Sequence, residues 1–314
     1  VIDLELSWPE AAAVGGCLAA ATVALRLGAV AGRGRPPAGL AGPHRPGRQR
    51  LAATAVLTGE TALVLGLFAL WQFAGSFSVM GPAGALSRAR WLWHAERLLR
   101  LPDEASLQRA FLPHPLLVQA LNLYYAALHF PVLIACMIWL FARHRDHYTR
   151  LRTTLVAFTG LCLLIQLIPV APPRMLPGIG MIDTAVRYGQ SVYATAAGFE
   201  PDQLSAMPSV HVGWAILVAI VVIGSARTRW RWLAAAYPAL TTLAVVVTAN
   251  HFWLDGIVAG VLLVAVLLAQ AGGRRLVVHT QSVILRRGLA TETQPAAAAR
   301  LSSQPAARQA GTDS

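Results

Sequence analysis

The sequence predicts an all-α protein, a polytopic membrane helical bundle of about seven transmembrane helices plus an interfacial amphipathic helix. Three observations predict it. Of 314 residues, 56% are hydrophobic and only 13% charged, with a mean hydropathy of +0.54; a soluble domain of that length needs far more charge to cover its surface. Several apolar runs reach the roughly 20 residues that a helix needs to cross a bilayer. The basic residues, all of them Arg, cluster in the loops between those runs, where charge records topology. The net charge of +12 therefore points to membrane orientation, and no nucleic-acid partner is expected. Cys17, Cys136 and Cys162 stand singly inside apolar runs, without CxxC spacing, and read as small core residues.

The spans follow in order. Residues 10–31 form the first, rich in Ala and Val, with Arg26 near its end. It lacks a basic leading segment and is followed by a Gly/Pro- and Arg-rich loop, so it is expected to be a retained span rather than a cleaved signal. The second covers 51–75. Residues 83–111 differ: Leu86, Trp91, Leu98, Leu99, Leu107 and Phe111 alternate with Arg88, Glu96, Arg97, Asp103 and Glu104. That pattern predicts an amphipathic stretch broken near Pro102 and lying on the membrane surface. Further spans are expected at 115–142, 153–171, 208–224, 233–249 and 252–271, with a Pro/Gly-containing loop at 172–207. The chain divides into 1–114 (N-terminal spans and interfacial helix), 115–271 (a catalytic helical bundle) and 272–314 (a basic tail, disordered toward its end).

If seven spans alternate, the Arg-rich loops 32–50, 143–152 and 225–232 share one side with the tail. The positive-inside rule makes that side cytoplasmic. The expectation is a multi-pass cell-membrane protein with its N-terminus outside and its C-terminus in the cytoplasm. The Arg residues at 274–287 then suit contact with anionic lipid on the inner face.

Three stretches fall together on the outer face. The first is Ala171-Pro172-Pro173-Arg174-Met175-Leu176. The second is Ala206-Met207-Pro208-Ser209-Val210-His211-Val212-Gly213-Trp214, where a Pro-Ser pair marks a helix start whose free N–H groups attract anions. The third is Asn250-His251-Phe252-Trp253-Leu254-Asp255. His251 and Asp255 are four apart and share a helix face; a carboxylate behind an imidazole fixes its tautomer and stabilises its charged form.

This set suggests phosphoryl transfer. His251 is the expected nucleophile, Asp255 its orienter, and His211 the general acid and later base. Arg174 and Ser209 are expected to hold the phosphate oxygens. Asn122, Tyr125 and His129, at helical spacing before Pro131, are candidates for headgroup contact or for the support of the site, as is Asn250. The acidic clusters that hold Mg²⁺ are missing from the pattern, so no metal or cofactor is expected.

The order Arg…Pro-Ser-x-His…His-x-x-x-Asp resembles the type-2 phosphatidic acid phosphatase superfamily, which also contains vanadium haloperoxidases. More narrowly, the three stretches resemble its inositol-phosphotransferase branch, akin to inositol phosphorylceramide synthases. The resemblance covers about residues 110–271. It implies a helical bundle, an active site at the outer leaflet and a phosphohistidine intermediate. It also implies a lipid phosphate or phosphodiester substrate among membrane lipids, with water or an alcohol such as inositol as acceptor. The chain departs from the pattern in two places. Arg174 stands without the usual neighbouring Lys, and the Ser-Arg pair expected before the late histidine is replaced by Val245-Val246-Val247-Thr248. Arg187, in the outer loop, is the candidate to replace the missing cation. The competing class is a transporter or a non-catalytic binder of an anionic headgroup; the paired broken helices and internal repeats of transporters are not evident in the sequence.

Overall fold

The computed structural model describes residues 8–31, 46–75, 84–190 and 203–275. The helices are α1 (Trp8–Ala31), α2 (Pro46–Gly75), α3 (Ala85–Leu98), α4 (Glu104–Phe111), α5 (Pro115–Ala127), α6 (His129–Arg143), α7 (Arg145–Gln166), α8 (Thr184–Arg187), α9 (Val210–Ser225) and α10 (Ala236–Val247). The last, α11, runs Trp253–Arg275. Two 3₁₀ segments, Pro173–Met175 and Arg229–Ala235, precede α8 and α10. Among the described residues there is no strand, only an isolated parallel bridge between Val170 and Ser205. The chain forms two compact units, Val1–Leu263 and Val264–Ser314. The second is described only to Arg275, where it is helical.

The protein is all-helical, as expected, but the number of spans is legible only in part. Three helical stretches are long and apolar enough to cross a bilayer: Pro9–Leu27, Arg229–Val247 and Trp253–Arg275. The expected span at 115–142 is bent by 51° between α5 and α6, and it counts as a fourth only if the two are taken together. Pro131 supplies the physical cause, since it has no N–H to give the carbonyl of Ala127 and its ring crowds that carbonyl. The apolar parts of α2 and α9, Thr54–Leu70 and Val210–Ser225, are shorter. α7 opens with Arg145, Asp146, Arg150 and Arg152 and ends at Gln166. The expected loop at 32–45 and the basic tail at 276–314 lie outside the described residues, as does part of the 172–207 loop.

The amphipathic stretch is broken near Pro102, as expected: α3 and α4 are joined by a turn in which Arg100 takes φ 56°. Leu86, Trp91, Leu98 and Leu99 are exposed, and part of its polar side faces protein. Glu96, Glu104 and Gln108 are all buried. Each has backbone or charge to satisfy there, which an amphipathic pattern does not disclose. Gln108 alone ties three segments: its Nε2 donates to the carbonyls of Ile182 (3.0 Å) and Val247 (2.9 Å), and its Oε1 accepts from Ile182 N. Ala85, Ala89 and Leu92 of α3 join Val170, Ala171, Leu176, Ala206 and Phe252 in one apolar cluster. At the start of α4, Asp103 caps the helix by accepting from Ser106 N. The Ser106 hydroxyl and then this amide hold its carboxyl below the usual carboxylate range, with Arg97 and Arg109 adding to the effect.

Candidate active site

The three sequence stretches are knit together by backbone hydrogen bonds before any side chain is considered. Ala206 N donates to Val170 O (3.2 Å), Arg174 N to Ala249 O (3.1 Å), and Ser209 N to Asp255 O (3.1 Å). Each segment is a helix terminus or an irregular turn, whose orphan backbone groups need partners from elsewhere. The partners here are the other two motifs.

α10 ends in a Schellman closure. Asn250 N bonds back to Val245 O (2.9 Å) and Ala249 N to Val246 O (3.0 Å). This geometry requires a left-handed residue one past the cap, usually Gly; here Ala249 takes it, at φ 58°. The reversal delivers Asn250 and His251 to the start of α11. There Asp255, at the third helical position, accepts from Phe252 N (2.8 Å), the reach-back half of a capping box.

His251 is 5% exposed. Its Nδ1 lies 2.7 Å from Ala206 O and 3.3 Å from Asp255 Oδ2. A carbonyl only accepts, so Nδ1 carries the proton and Nε2 keeps its lone pair. The sequence assigns the orienting role to Asp255 alone. The closer partner is the Ala206 carbonyl, and the Asp255 carboxylate is shared between the imidazole and the helix start.

His211, one residue into α9, sets its ring 6.1 Å from that of His251. The rings of Tyr125 and His129 each lie 4.8 Å from His211. His129 is buried, and its Nδ1 pairs with the Tyr237 hydroxyl (3.2 Å). Ser209 is fully buried as the N-cap of α9, its hydroxyl accepting from Val212 N. That bond uses an acceptor position of the oxygen and not the O–H, which is the group a phosphate oxygen would accept from.

Arg174 sits in the first 3₁₀ segment with its side chain 4% exposed. Its Nη1 donates to Asn250 Oδ1, and its Nε lies 3.3 Å from Asp183 Oδ2. Asn250 in turn donates to the Thr248 hydroxyl (2.8 Å). Asn122 accepts from the Thr184 hydroxyl (2.8 Å) and donates to Gln190 Oε1 (3.1 Å), so it anchors the loop carrying α8. Asn122, Tyr125, Arg174, Asp183, Gln190 and Asn250 line a small cleft. Arg187 is not brought to it: the side chain is exposed, its guanidinium 5.8 Å from the Tyr188 ring. The expectation that Arg187 replaces the missing cation is not supported by this placement, because α8 turns it outward. No group of three or more His, Cys, Asp or Glu is placed to hold a metal ion among the described residues.

What the arrangement offers chemically is an imidazole with an available lone pair, a second imidazole beside it and a guanidinium at the cleft. The sequence model of the PAP2 superfamily matches residues 90–270, more than half of the chain. The chain belongs to the PAP2 superfamily. Membership brings phosphatase-type chemistry on phosphate esters, and the apolar helices suit association with a membrane. Neither a curated protein nor a solved structure matches the chain. The match begins within α3, ahead of the resemblance noticed from the motifs, and so takes in Glu96 and Glu104.

Sequence reasoning passed over Asp183, Gln190, Gln108 and Glu96. Asp183 carries a local signal, an Asp before a helix start, whose carboxylate accepts from Val186 N (2.9 Å). Its second contact, to Arg174, has no signature in the linear chain.

Proposed function

We propose that this PAP2-superfamily protein is an integral-membrane lipid phosphotransferase of the inositol-phosphotransferase type, working through a phosphohistidine at the outer membrane face. The observation that carries the proposal is the hydrogen-bonded Nδ1 of His251, which leaves Nε2 as the nucleophilic nitrogen. Nε2 attacks phosphorus, and the P–O bond to the leaving group breaks with its electron pair going to oxygen. His211 protonates that oxygen, then takes the proton of the incoming acceptor as its oxygen attacks phosphorus. The P–N bond breaks and returns the pair to Nε2. Arg174 balances charge on the phosphoryl oxygens through the transfer.

Two features support an alcohol acceptor over water. The Lys and the late Arg of the phosphatase pattern are replaced by apolar residues or missing. The cleft beside Arg174 is lined by amides and a carboxylate, from Asn122, Gln190, Asn250 and Asp183, which suit a polyhydroxyl acceptor such as inositol. The seven-span reading, with N-terminus outside and C-terminus inside, rests on the Arg-rich loops. It requires α2, α7, α9 and the bent α5–α6 pair to cross along with the three longer helices.

The test is phosphate release and headgroup exchange from phosphatidic acid and phosphatidylinositol, with and without added inositol, by purified protein and the His251→Ala variant. Exchange lost in the variant supports the reading. Turnover that survives in His251→Ala removes the phosphohistidine. Phosphate release with no response to inositol makes the protein a phosphatase.

A further inference from the structure

The start of α11 lacks a cap of its own. Its N-cap residue is Phe252, whose side chain has no oxygen to accept from the first-turn amides. The amide of Leu254, at the second helical position, nevertheless has a partner at 2.7 Å: the Oε1 of Glu96, 158 residues earlier on α3. Beside it, Trp253 Nε1 donates to Pro102 O (2.9 Å). Asp255, one residue further on, holds the Phe252 amide and faces His251 Nδ1. The helix turn that aims the His251–Asp255 pair is thus pinned on one side by its own carboxylate and on the other by Glu96.

We propose that Glu96 is a positioning residue: it caps α11 from α3 and thereby holds the His251–Asp255 pair in working geometry. The inference rests on the phosphotransferase reading of that pair.

The surroundings of Glu96 explain how an acid can serve there. It is fully buried, and Glu104 is nearly so. Arg97 binds Glu104 (2.6 Å) and Asp103 (3.0 Å) but stands 4.0 Å from Glu96. Asp255, across on α11, is a further acidic group whose charge reaches Glu96. Two buried oxygens, Glu96 Oε2 and Glu104 Oε1, find no donor among the described residues. One proton held between the two carboxyls satisfies both. Burial, then the hydrogen bond to Glu104 and the charges of Glu104 and Asp255, push Glu96 up from 4.5 to about 9, against the lowering effect of the Leu254 amide. Glu96 is therefore a neutral acid at physiological pH, donating to Glu104 with one oxygen and accepting from α11 with the other. Glutamine has the same two capacities: an oxygen that accepts and an NH₂ that donates.

The sign of the pH dependence follows. Unfolded, Glu96 loses its proton near 4.5; folded, near 9. Its contribution to folding is full below the first value, declines between the two, and is constant above the second. A glutamine escapes that decline.

The experiment uses the full chain in detergent as the parent and its Glu96→Gln, Glu96→Ala and His251→Ala variants. Melting is followed from pH 4 to 10.5 and phosphate transfer from phosphatidic acid from pH 6 to 10.5. Glu96→Gln and the parent are expected to melt together at pH 4. Their difference should widen in favour of Gln up to about pH 9. Glu96→Ala is expected to lose kcat by about tenfold to a hundredfold with KM nearly unchanged. Glu96→Gln should restore most of that loss and lack the parent's decline above pH 9. A Glu96→Ala protein that folds and turns over like the parent overturns the proposal, as does a melting difference that does not change with pH. If Glu96→Ala does not fold, the Gln melting and pH profiles still decide. Turnover surviving in His251→Ala sinks the phosphohistidine reading instead, and leaves the melting curves to judge the Glu96 proton.

Discussion

The α1–α2 hairpin and the bundle from α3 to the first turns of α11 solve opposite packing problems. In the hairpin the buried positions among the described residues are small: Ala11, Gly15 and Thr22 on α1, Ala55 and Ala69 on α2. Gly15 brings α1 so near its partner that a Cβ there would sit 3.4 Å from the backbone of Ala62 and Gly66. The Thr22 hydroxyl donates to that of Thr58 (2.8 Å). Close backbones, small side chains and one interhelical hydrogen bond are the means by which helices associate where lipid is as apolar as their surfaces. It meets the bundle through polar groups, with Glu60 accepting from the Tyr148 hydroxyl (2.7 Å) and paired with Arg152, and through the Phe68 ring, 6.3 Å edge-on from that of Phe130. The bundle instead buries chemistry: Glu96, Glu104, Gln108, Asn122, His129, Asn250, His251 and Asp255. Every such group is costly unless partnered, and their concentration in one region coincides with the candidate site. The hairpin shows close packing of small residues between apolar helices; the bundle shows the buried polar groups that the candidate site adds.

Substitutions test this contrast. The largest effect is expected at the centre of the bundle: His251→Ala should lower turnover by on the order of 10⁴-fold or more, with the folded state retained by melting and size-exclusion measurements. Next is Gly213→Ala, in the motif but packed against the Phe158 ring. A Cβ at Gly213 would fall 2.0 Å from the Phe158 ring, which is itself fully buried. Displacing that ring should cost about 1–3 kcal/mol, read as a lower melting midpoint, and should move Ser209 and His211 enough to reduce kcat. A Gly213→Ala protein as stable as the parent would mean that the α7–α9 contact is looser than described. On the hairpin, Thr22→Val should cost only about 0.6 kcal/mol and leave kcat unaltered; a loss of turnover there would erase the distinction between the two regions. The smallest effect is expected at Ala249. Ala249→Gly relieves a left-handed alanine but loosens the unfolded chain, for a net gain between about 0 and 1 kcal/mol. Measured melting should rise slightly or stay level, and a clear drop would show that the alanine methyl packs usefully.

The sequence by itself determined the helical class, the apolar runs that suit a membrane, and the three motifs with their order. Those are consequences of composition, of apolar run length and of short-range spacing: His251 and Asp255 are neighbours on any helix, and Pro-Ser starts one. The capping of α9 by Ser209 was legible for the same local reason. What only tertiary structure decided was which groups serve which partners. That Ala206 O rather than Asp255 lies closest to His251, that Arg174 leans on Asn250 and Asp183, and that Arg187 turns away depend on chain segments brought together from far apart. Glu96 is the clearest instance. In the linear pattern it is one more charge on an amphipathic stretch, which burial alone can distinguish from a solvated one. The span count stayed open for a related reason, since hydropathy measures how apolar a segment is and not whether Pro131 bends it or a neighbouring helix buries it.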